Sequence, residues 1–273
     1  MKFTAKLADG DVNVSASHPL KELAWLIGGF ITFLVLFYIF LGFVSSVLAM
    51  RLPVKAEAWM GSKIALIYEG QTNTFLQTHL DGLVSALPDD SVLNAYTFRI
   101  ILDDEEDQVN AFALPGGLIV VYAGLLENVQ SENELDMILA HELGHFAHRD
   151  HLQAMGRSLI VAFGSWLLSG DGSSDVVTWI ASKLERKYSQ KQEIAADAWG
   201  LDLLNRRYGH VGGATDFFKR LATDKKDRLA YFLATHPHPG DRVQYLNTLI
   251  EQNGYDVRDS IPLPEGIVEE MEE

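Results

Sequence analysis

From Leu23 to Met50 the chain runs for 28 residues without a charged side chain, with Ile31-Thr32-Phe33-Leu34-Val35-Leu36-Phe37 near its middle. A helix needs about 20 apolar residues to cross a hydrocarbon core of about 30 Å, so this segment spans a bilayer with room for tilt. Helices buried in a protein core rarely stay uncharged for so long. Val47-Leu48-Ala49 has the small-residue character of a signal-peptide cleavage site. The apolar run, however, is about twice the usual h-region of roughly 7–15 residues. The segment reads as an uncleaved transmembrane helix over residues 23–50, following an N-terminal segment 1–22, with the lipid bilayer as its partner. Leu159 to Leu168 is apolar but too short to cross, which makes it a core or interfacial helix and leaves residues 51–273 on one side.

Charge and composition then remove whole classes of function. Asp and Glu number 37 against 22 Lys and Arg, a formal charge of −15, which argues against a nucleic-acid partner because phosphate binding needs a basic patch. The absence of Cys excludes disulfides, thiolate zinc sites and thiol catalysis. Leu76, Leu80, Leu83 and Leu87 recur at helical spacing before Pro88. Strand-like runs follow at Tyr96–Leu102, Asn110–Leu114 and Gly117–Tyr122, with the acidic run Asp103–Asp107 expected as a solvated hairpin loop between the first two. From Ser131 onward the pattern is helical, until an acidic, Pro-containing stretch that reads as a loosely held tail over residues 256–273. The expected fold class is α+β: a mainly helical domain over 51–255 with a small antiparallel or mixed sheet.

The chemistry is concentrated in His141-Glu142-Leu143-Gly144-His145. Four residues advance a helix by about 400°, so both imidazoles share a face and can hold one Zn²⁺. Glu142, one residue along, is aimed beside the metal, where it can take a proton from water. Ser131 and Glu134 form a capping-box pattern at the start of this helix, and Leu135, Ile138 and Leu139 continue its apolar face. Two residues compete for third ligand. His151 stands where an HExxHxxGxxH protease has its third histidine, but the turn glycine is replaced by His148. On a continued helix His151 faces away, leaving it and His148 as solvent-facing or supporting groups. Glu193 and Asp197 share a helix face 48 residues or more after His145, so Glu193 can complete a His-His-Glu site with one position open. Asp197 can then accept the other ring N–H of a ligand histidine.

Taken together, these motifs resemble peptidase family forty-eight, the gluzincin metalloproteases of the HtpX, CAAX prenyl protease and BepA type. The resemblance rests on the HExxH, the later ExxAD helix, the upstream Asn110-Ala111-Phe112-Ala113-Leu114-Pro115-Gly116-Gly117 and the downstream Thr235-His236-Pro237 with Arg242-Val243. It covers roughly Ile64 to Ile250. It implies a zincin-type fold, one Zn²⁺ per chain held by His141, His145 and Glu193, and Glu142 as general base. It also implies that an extended polypeptide substrate lies along Asn110, Ala111, Phe112 and Ala113, with Gly116 and Gly117 in the adjoining turn. His236 matches the family's oxyanion-stabilising histidine; His238 competes, but the interval to Arg242 favours His236. Ser189-Gln190 replaces the family's frequent Ser-Arg, Ala195-Ala196-Asp197 replaces Glu-Ala-Asp, and the several spans of HtpX-like members reduce to one.

The expectation is a membrane-anchored zinc metalloendopeptidase serving protein quality control in the cell envelope. The rivals are a zinc-dependent, chaperone-like binder of misfolded clients with little proteolysis, and a scaffold whose motif is accidental. Lys2, Lys6 and Lys21 before the span balance Arg51, Lys55 and Lys63 after it. A short basic N-terminus before a single span is commonly retained inside, so the expected place is a bacterial inner membrane with an extracytoplasmic catalytic domain.

Overall fold

The computed structural model describes residues 18–65, 71–103, 108–154, 156, 188–223, 232, 235–236 and 239–264. The apolar run 159–168 and the acidic residues 104–107 lie outside them. The chain forms two compact units, residues 1–44 and 45–273. Helix α1 (Pro19–Arg51), whose residues up to Val44 belong to the first unit, begins at the proline and exposes Trp25, Phe30, Phe40 and Phe43. Its stretch 19–44 is the one helix among the described residues long and apolar enough to cross a membrane.

After α1 the second unit continues with α2 (Val54–Ile64) and α3 (Thr74–Ser85), the latter capped by the Asn73 side chain, which accepts from the Leu76 N–H at 3.0 Å. The sheet follows: β1 (Arg99–Asp103), β2 (Ala111–Leu114) and β3 (Leu118–Tyr122). Its order is β1-β3-β2, so the expected β1–β2 hairpin does not form. β1 runs parallel to β3, from Arg99 opposite Leu118 to Asp103 opposite Tyr122, and β2 runs antiparallel to β3. The reason is burial. Leu118-Ile119-Val120-Val121-Tyr122 is apolar throughout, suits a central strand covered on both faces, and takes a neighbour on each edge. The tight hairpin is instead β2–β3, turning through Gly116 and Gly117 at φ +84° and +82°, backbone that side-chain-bearing residues seldom adopt.

Beyond the sheet come α4 (Ala123–Leu126), α5 (Glu132–Ala147), α6 (Gln190–Tyr208), α7 (Asp216–Thr223) and α8 (Pro239–Asn253). Helix α5 is buried from Asn133 to Phe146 and packs on β2, α3 and, most extensively, α6. Ser131 caps it by accepting from the Glu134 N–H at 3.2 Å. The return half of the capping box goes elsewhere, because the Glu134 carboxylate accepts from the Gln130 N–H and pairs with Arg220. The expected loose tail is also held in its first part. Asp256 C=O accepts from Val211 N–H, and Ile261 C=O accepts from Glu132 N–H, one of the orphan donors at the helix start.

Two glycines let α5 and α6 meet backbone to backbone. A Cβ on Gly144 would lie 2.9 Å from Ala196 Cα, and one on Gly200 would lie 3.0 Å from His141 N. Asp136 bolts the same layer from the other end of α5. It binds His79 Nδ1 at 2.6 Å, the Tyr208 hydroxyl at 2.6 Å and Arg207 Nε at 2.9 Å, joining α3, α5 and α6.

Candidate metal and catalytic centre

Helix α5 presents His141 and His145 one turn apart, and their Nε2 atoms face each other at 3.1 Å. Across the glycine seam, α6 brings Glu193, whose oxygens lie 3.6 Å from His141 Nε2 and 3.4 Å from His145 Nε2. His236 adds Nδ1, 3.3 Å from His141 Nε2 and 3.2 Å from both Glu193 oxygens. All four side chains are buried, and a donor atom from each lies within 4.8 Å of the others. Two nitrogens that face each other share at most one proton between them, whereas a cation at their meeting point satisfies every donor at once. The group therefore forms a possible four-residue metal site.

The outer ring nitrogens explain why the inner ones are free to converge. His141 Nδ1 is 2.8 Å from Asp197, and His145 Nδ1 is 2.9 Å from Asp150. Each carboxylate holds the ring proton on Nδ1 and leaves a lone pair on Nε2. Asp197 is itself gripped by Arg242, from Nε at 2.7 Å and Nη2 at 2.6 Å, a bidentate fork of the strong charge-assisted kind. Arg242 also reaches Glu193 at 3.1 Å and lies over the Phe218 ring at 4.1 Å. Asp150 accepts a further hydrogen bond from Gln192 at 2.9 Å, and Tyr188 stacks on His145 with ring centres 3.8 Å apart.

These contacts split the ionisation behaviour of the two histidines. Burial, reinforced by the Arg242 charge, depresses His141 to about 3. Burial works against the His145 charge too, but hydrogen bonds to Asp150 and Glu193 win and hold it up at about 9. Burial acts to raise Glu193, but its contacts with His236, Arg242 and His145 win and hold it well below the usual carboxylate range. Glu142 is raised, chiefly by burial, as suits a group that must take up a proton.

Glu142 stands apart from the four donors. Its two oxygens and His236 Nε2 are buried without a hydrogen-bond partner among the described residues, and the closest approach between them is 3.7 Å. The segment carrying His236 is tied to the sheet: Thr235 C=O accepts from Tyr188 N–H at 3.2 Å, and the Thr235 hydroxyl reaches Asn110 Oδ1 at 3.4 Å. Asn110 C=O accepts from Tyr122 N–H, which fixes the phase of the β2–β3 ladder. The N–H and C=O groups of Ala111 and Ala113 consequently point away from β3, on the edge where no further strand pairs among the described residues, while those of Phe112 face β3.

The sequence-predicted residues His141, Glu142, His145, Glu193, Asp197, His236 and Arg242 thus meet in one place, with Asn110 to Ala113 alongside. His151 goes elsewhere. The helix does not continue, because Arg149 turns the chain at φ +56°, and His151 Nε2 then binds Glu57 at 2.8 Å. His148 is exposed at the end of α5, and His238 lies outside the described residues. Asp150 and Tyr188 are additions that the spacing did not single out.

Comparisons with known proteins agree with this geometry. The model of Peptidase family M48 matches residues 74–250, well over half of the chain. Metalloendopeptidase OMA1, mitochondrial, of Homo sapiens is 30% identical over 161 residues, 53% of this chain and 31% of the relative. Metalloprotease LoiP of Escherichia coli (strain K12) is 29% identical over 153 residues, 54% of this chain and 60% of the relative. A putative beta-barrel assembly-enhancing protease of Vibrio cholerae is 29% identical over 167 residues, 56% of this chain and 34% of the relative. The chain thus spans between 31% and 60% of the length of these relatives. The matched stretch contains all four convergent donors, Glu142 and Arg242, and on that footing the chain belongs to peptidase family M48.

Proposed function

We propose that this protein is a membrane-anchored, zinc-dependent metalloendopeptidase. The observation that carries the reading is the convergence of His141 Nε2, His145 Nε2 and the Glu193 carboxylate beside Glu142, whose oxygens have no hydrogen-bond partner among the described residues. Two imidazoles and a carboxylate with one further position are the donor set of catalytic zinc, so these three residues would hold one Zn²⁺ per chain. When bound, the ion polarises a carbonyl and makes water acidic enough to ionise near neutral pH.

The chain's own residues do the rest. Asp197 and Asp150 keep the ligand rings in the tautomer that offers Nε2, and Arg242 fixes Asp197. Glu142 takes the proton from the attacking water and returns it to the leaving amine, its raised pKa favouring uptake. His236 donates from Nε2 to the developing oxyanion, a contribution of about 3–4 kcal/mol by the measure of other such donors. The outward N–H and C=O groups of Ala111 and Ala113 bind an extended polypeptide as an added strand. Asn110, Phe112, Gly116 and Gly117 shape that edge.

Glu142→Gln is expected to keep its zinc and lose casein cleavage by about a thousandfold or more. Turnover like that of the wild type would overturn the mechanism. A second reading has one observation in its favour: His141, Glu142, His145, Glu193 and His236 are each no more than 1% exposed. A zinc-dependent, chaperone-like binder would hold clients on β2 and rarely bring them to the base. Binding of unfolded casein without fragments, at full zinc occupancy, would select that reading.

The name of the beta-barrel assembly-enhancing relative supports a role in quality control of a bacterial cell envelope, and the short basic N-terminus before the span supports a domain outside the inner membrane. A protease added to cells whose outer membrane has been permeabilised should then remove it, and complete protection while the inner membrane stays intact would reverse the orientation.

A further inference from the structure

Helix α2 begins three residues after α1 ends and carries a carboxylate that the proposed chemistry does not use. Glu57 is fully buried, yet it sits at a crossing of four structural parts. One oxygen accepts from Gly116 N–H at 3.2 Å and from His151 Nε2 at 2.8 Å; the other accepts from the Tyr96 hydroxyl at 2.8 Å. Arg149 stands 3.8 Å away and donates to Leu52 C=O at 2.7 Å. His151 in turn places Nδ1 3.4 Å from His145 C=O.

A second contact joins the same two parts. A Cβ on Gly61 would lie 2.0 Å from Pro115 O, and one on Gly116 would lie 3.0 Å from Ala58 Cα. The helix therefore meets the β2–β3 turn through bare backbone on both sides, one helical turn along from the Glu57 hydrogen bond. Gly116 lies three residues beyond Ala113, whose backbone groups point to the side of β2 away from β3.

We infer that α2 is a wall of the peptide-binding edge and that Glu57 is a positioning residue, setting the affinity of β2 for an extended peptide by fixing the Pro115–Gly117 turn. The inference rests on the reading of β2 as the edge that receives the substrate. It makes the segment that follows the membrane span part of the substrate site rather than a tether. It also accounts for His151, whose ring links Glu57 to the backbone of the HExxH helix.

The test uses the full chain in detergent micelles, with Glu57→Gln as the isosteric variant. On a quenched fluorescent peptide, KM is expected to rise about tenfold, equivalent to one charge-assisted hydrogen bond, with kcat changing less than KM. Zinc content stays at the wild-type level. Hydrogen exchange quickens at Gly116 and Gly117 and stays unchanged across α5 and α6. An unaltered KM, or exchange that quickens everywhere together with loss of metal, overturns the assignment.

Should Glu57→Gln fail to fold, Tyr96→Phe removes one donor from the same carboxylate. It is expected to raise KM about two- to threefold, and no rise overturns the assignment. Anisotropy of a labelled casein peptide in the Glu142→Gln background separates this idea from the peptidase reading. Weaker binding on adding Glu57→Gln supports the positioning role even if the wild type never cleaves. Unchanged binding refutes that role while leaving the peptidase reading intact, and no binding to the Glu142→Gln chain refutes the role as well.

Discussion

Replacing Gly144 by Ala tests whether the glycine seam between α5 and α6 is what brings Glu193 to the histidines. The new Cβ would stand 2.9 Å from both Cα and O of Ala196. Carbon atoms rest at about 3.5–4.0 Å, so α6 has to retreat by roughly 0.6–1 Å. Backbone cannot swing aside as a side-chain tip does, and overpacking of this kind costs about 1–3 kcal/mol. Alanine returns up to about 1 kcal/mol through its better helix propensity, leaving a net loss of about 1–2 kcal/mol. For a domain of this size that lowers Tm by about 2–8 °C.

The metal is the sharper readout. Glu193 precedes Ala196 by one turn, and ligand distances tolerate only about 0.2 Å, so the shift should weaken zinc binding at least tenfold. Calorimetric melting and competition against a chromophoric chelator measure both quantities. Gly240→Ala is the control, because a Cβ there meets nothing within 4 Å, and it should be neutral or stabilising by up to about 1 kcal/mol. A Gly144→Ala chain with wild-type stability and wild-type zinc affinity would refute the reasoning.

Two further substitutions probe the supports around the centre. Asp150→Ala removes the carboxylate that holds the His145 ring proton and should weaken zinc binding about 10–100-fold, read by the same competition titration. Asp136→Ala strips the partner from Arg207, His79 and Tyr208 at once; it should cost about 3–5 kcal/mol in denaturant unfolding while zinc affinity of the folded fraction holds.

What could be read in the sequence was whatever depends on short-range periodicity. His141, Glu142 and His145 occupy one helix face because four residues make slightly more than a turn, and Glu193 and Asp197 repeat the logic on α6. Order among distant parts is a different matter. The acidic run after β1 suggests a hairpin to the next strand, yet the burial demands of β3 place it between β1 and β2. Asp150 reaches His145 because Arg149 adopts a left-handed conformation that its residue type does not advertise. Extending the helix through that point sends positions 150 and 151 in the wrong direction. Gly144 and Gly200 take their meaning only from the helix opposite, and Glu57 finds His151 across 94 residues. One local signal is present in the sequence but easily passed over: Ser189-x-x-Gln192 forms a complete capping box, which fixes where α6 begins and so where Glu193 stands.

The charge inventory of the centre leads to the last prediction. Four carboxylates, on Glu142, Asp150, Glu193 and Asp197, surround the donors, and among the described residues Arg242 is the guanidinium beside them; with every imidazole neutral, as ligation of a metal requires, the formal charge is −3, and without the metal a proton on His145, held up at about 9, brings it to −2. Buried charge of that size is untenable without compensation. A divalent cation reduces the −3 to −1 and occupies the point at which His141, His145 and Glu193 converge. Chelation should therefore destabilise the fold and not merely silence it. With free zinc at about a thousand times its Kd, linkage supplies about 4 kcal/mol, which for a domain of this size corresponds to a Tm difference of about 8–16 °C. Thermal melts of the full chain before and after chelation, with readdition of zinc, measure it. In Glu193→Ala the difference should shrink to a few degrees, since one of the three ligands is gone. Identical melting with and without the metal, once its removal has been verified by mass spectrometry, would mean that the buried carboxylates are compensated by protons alone and that the donors converge for another reason.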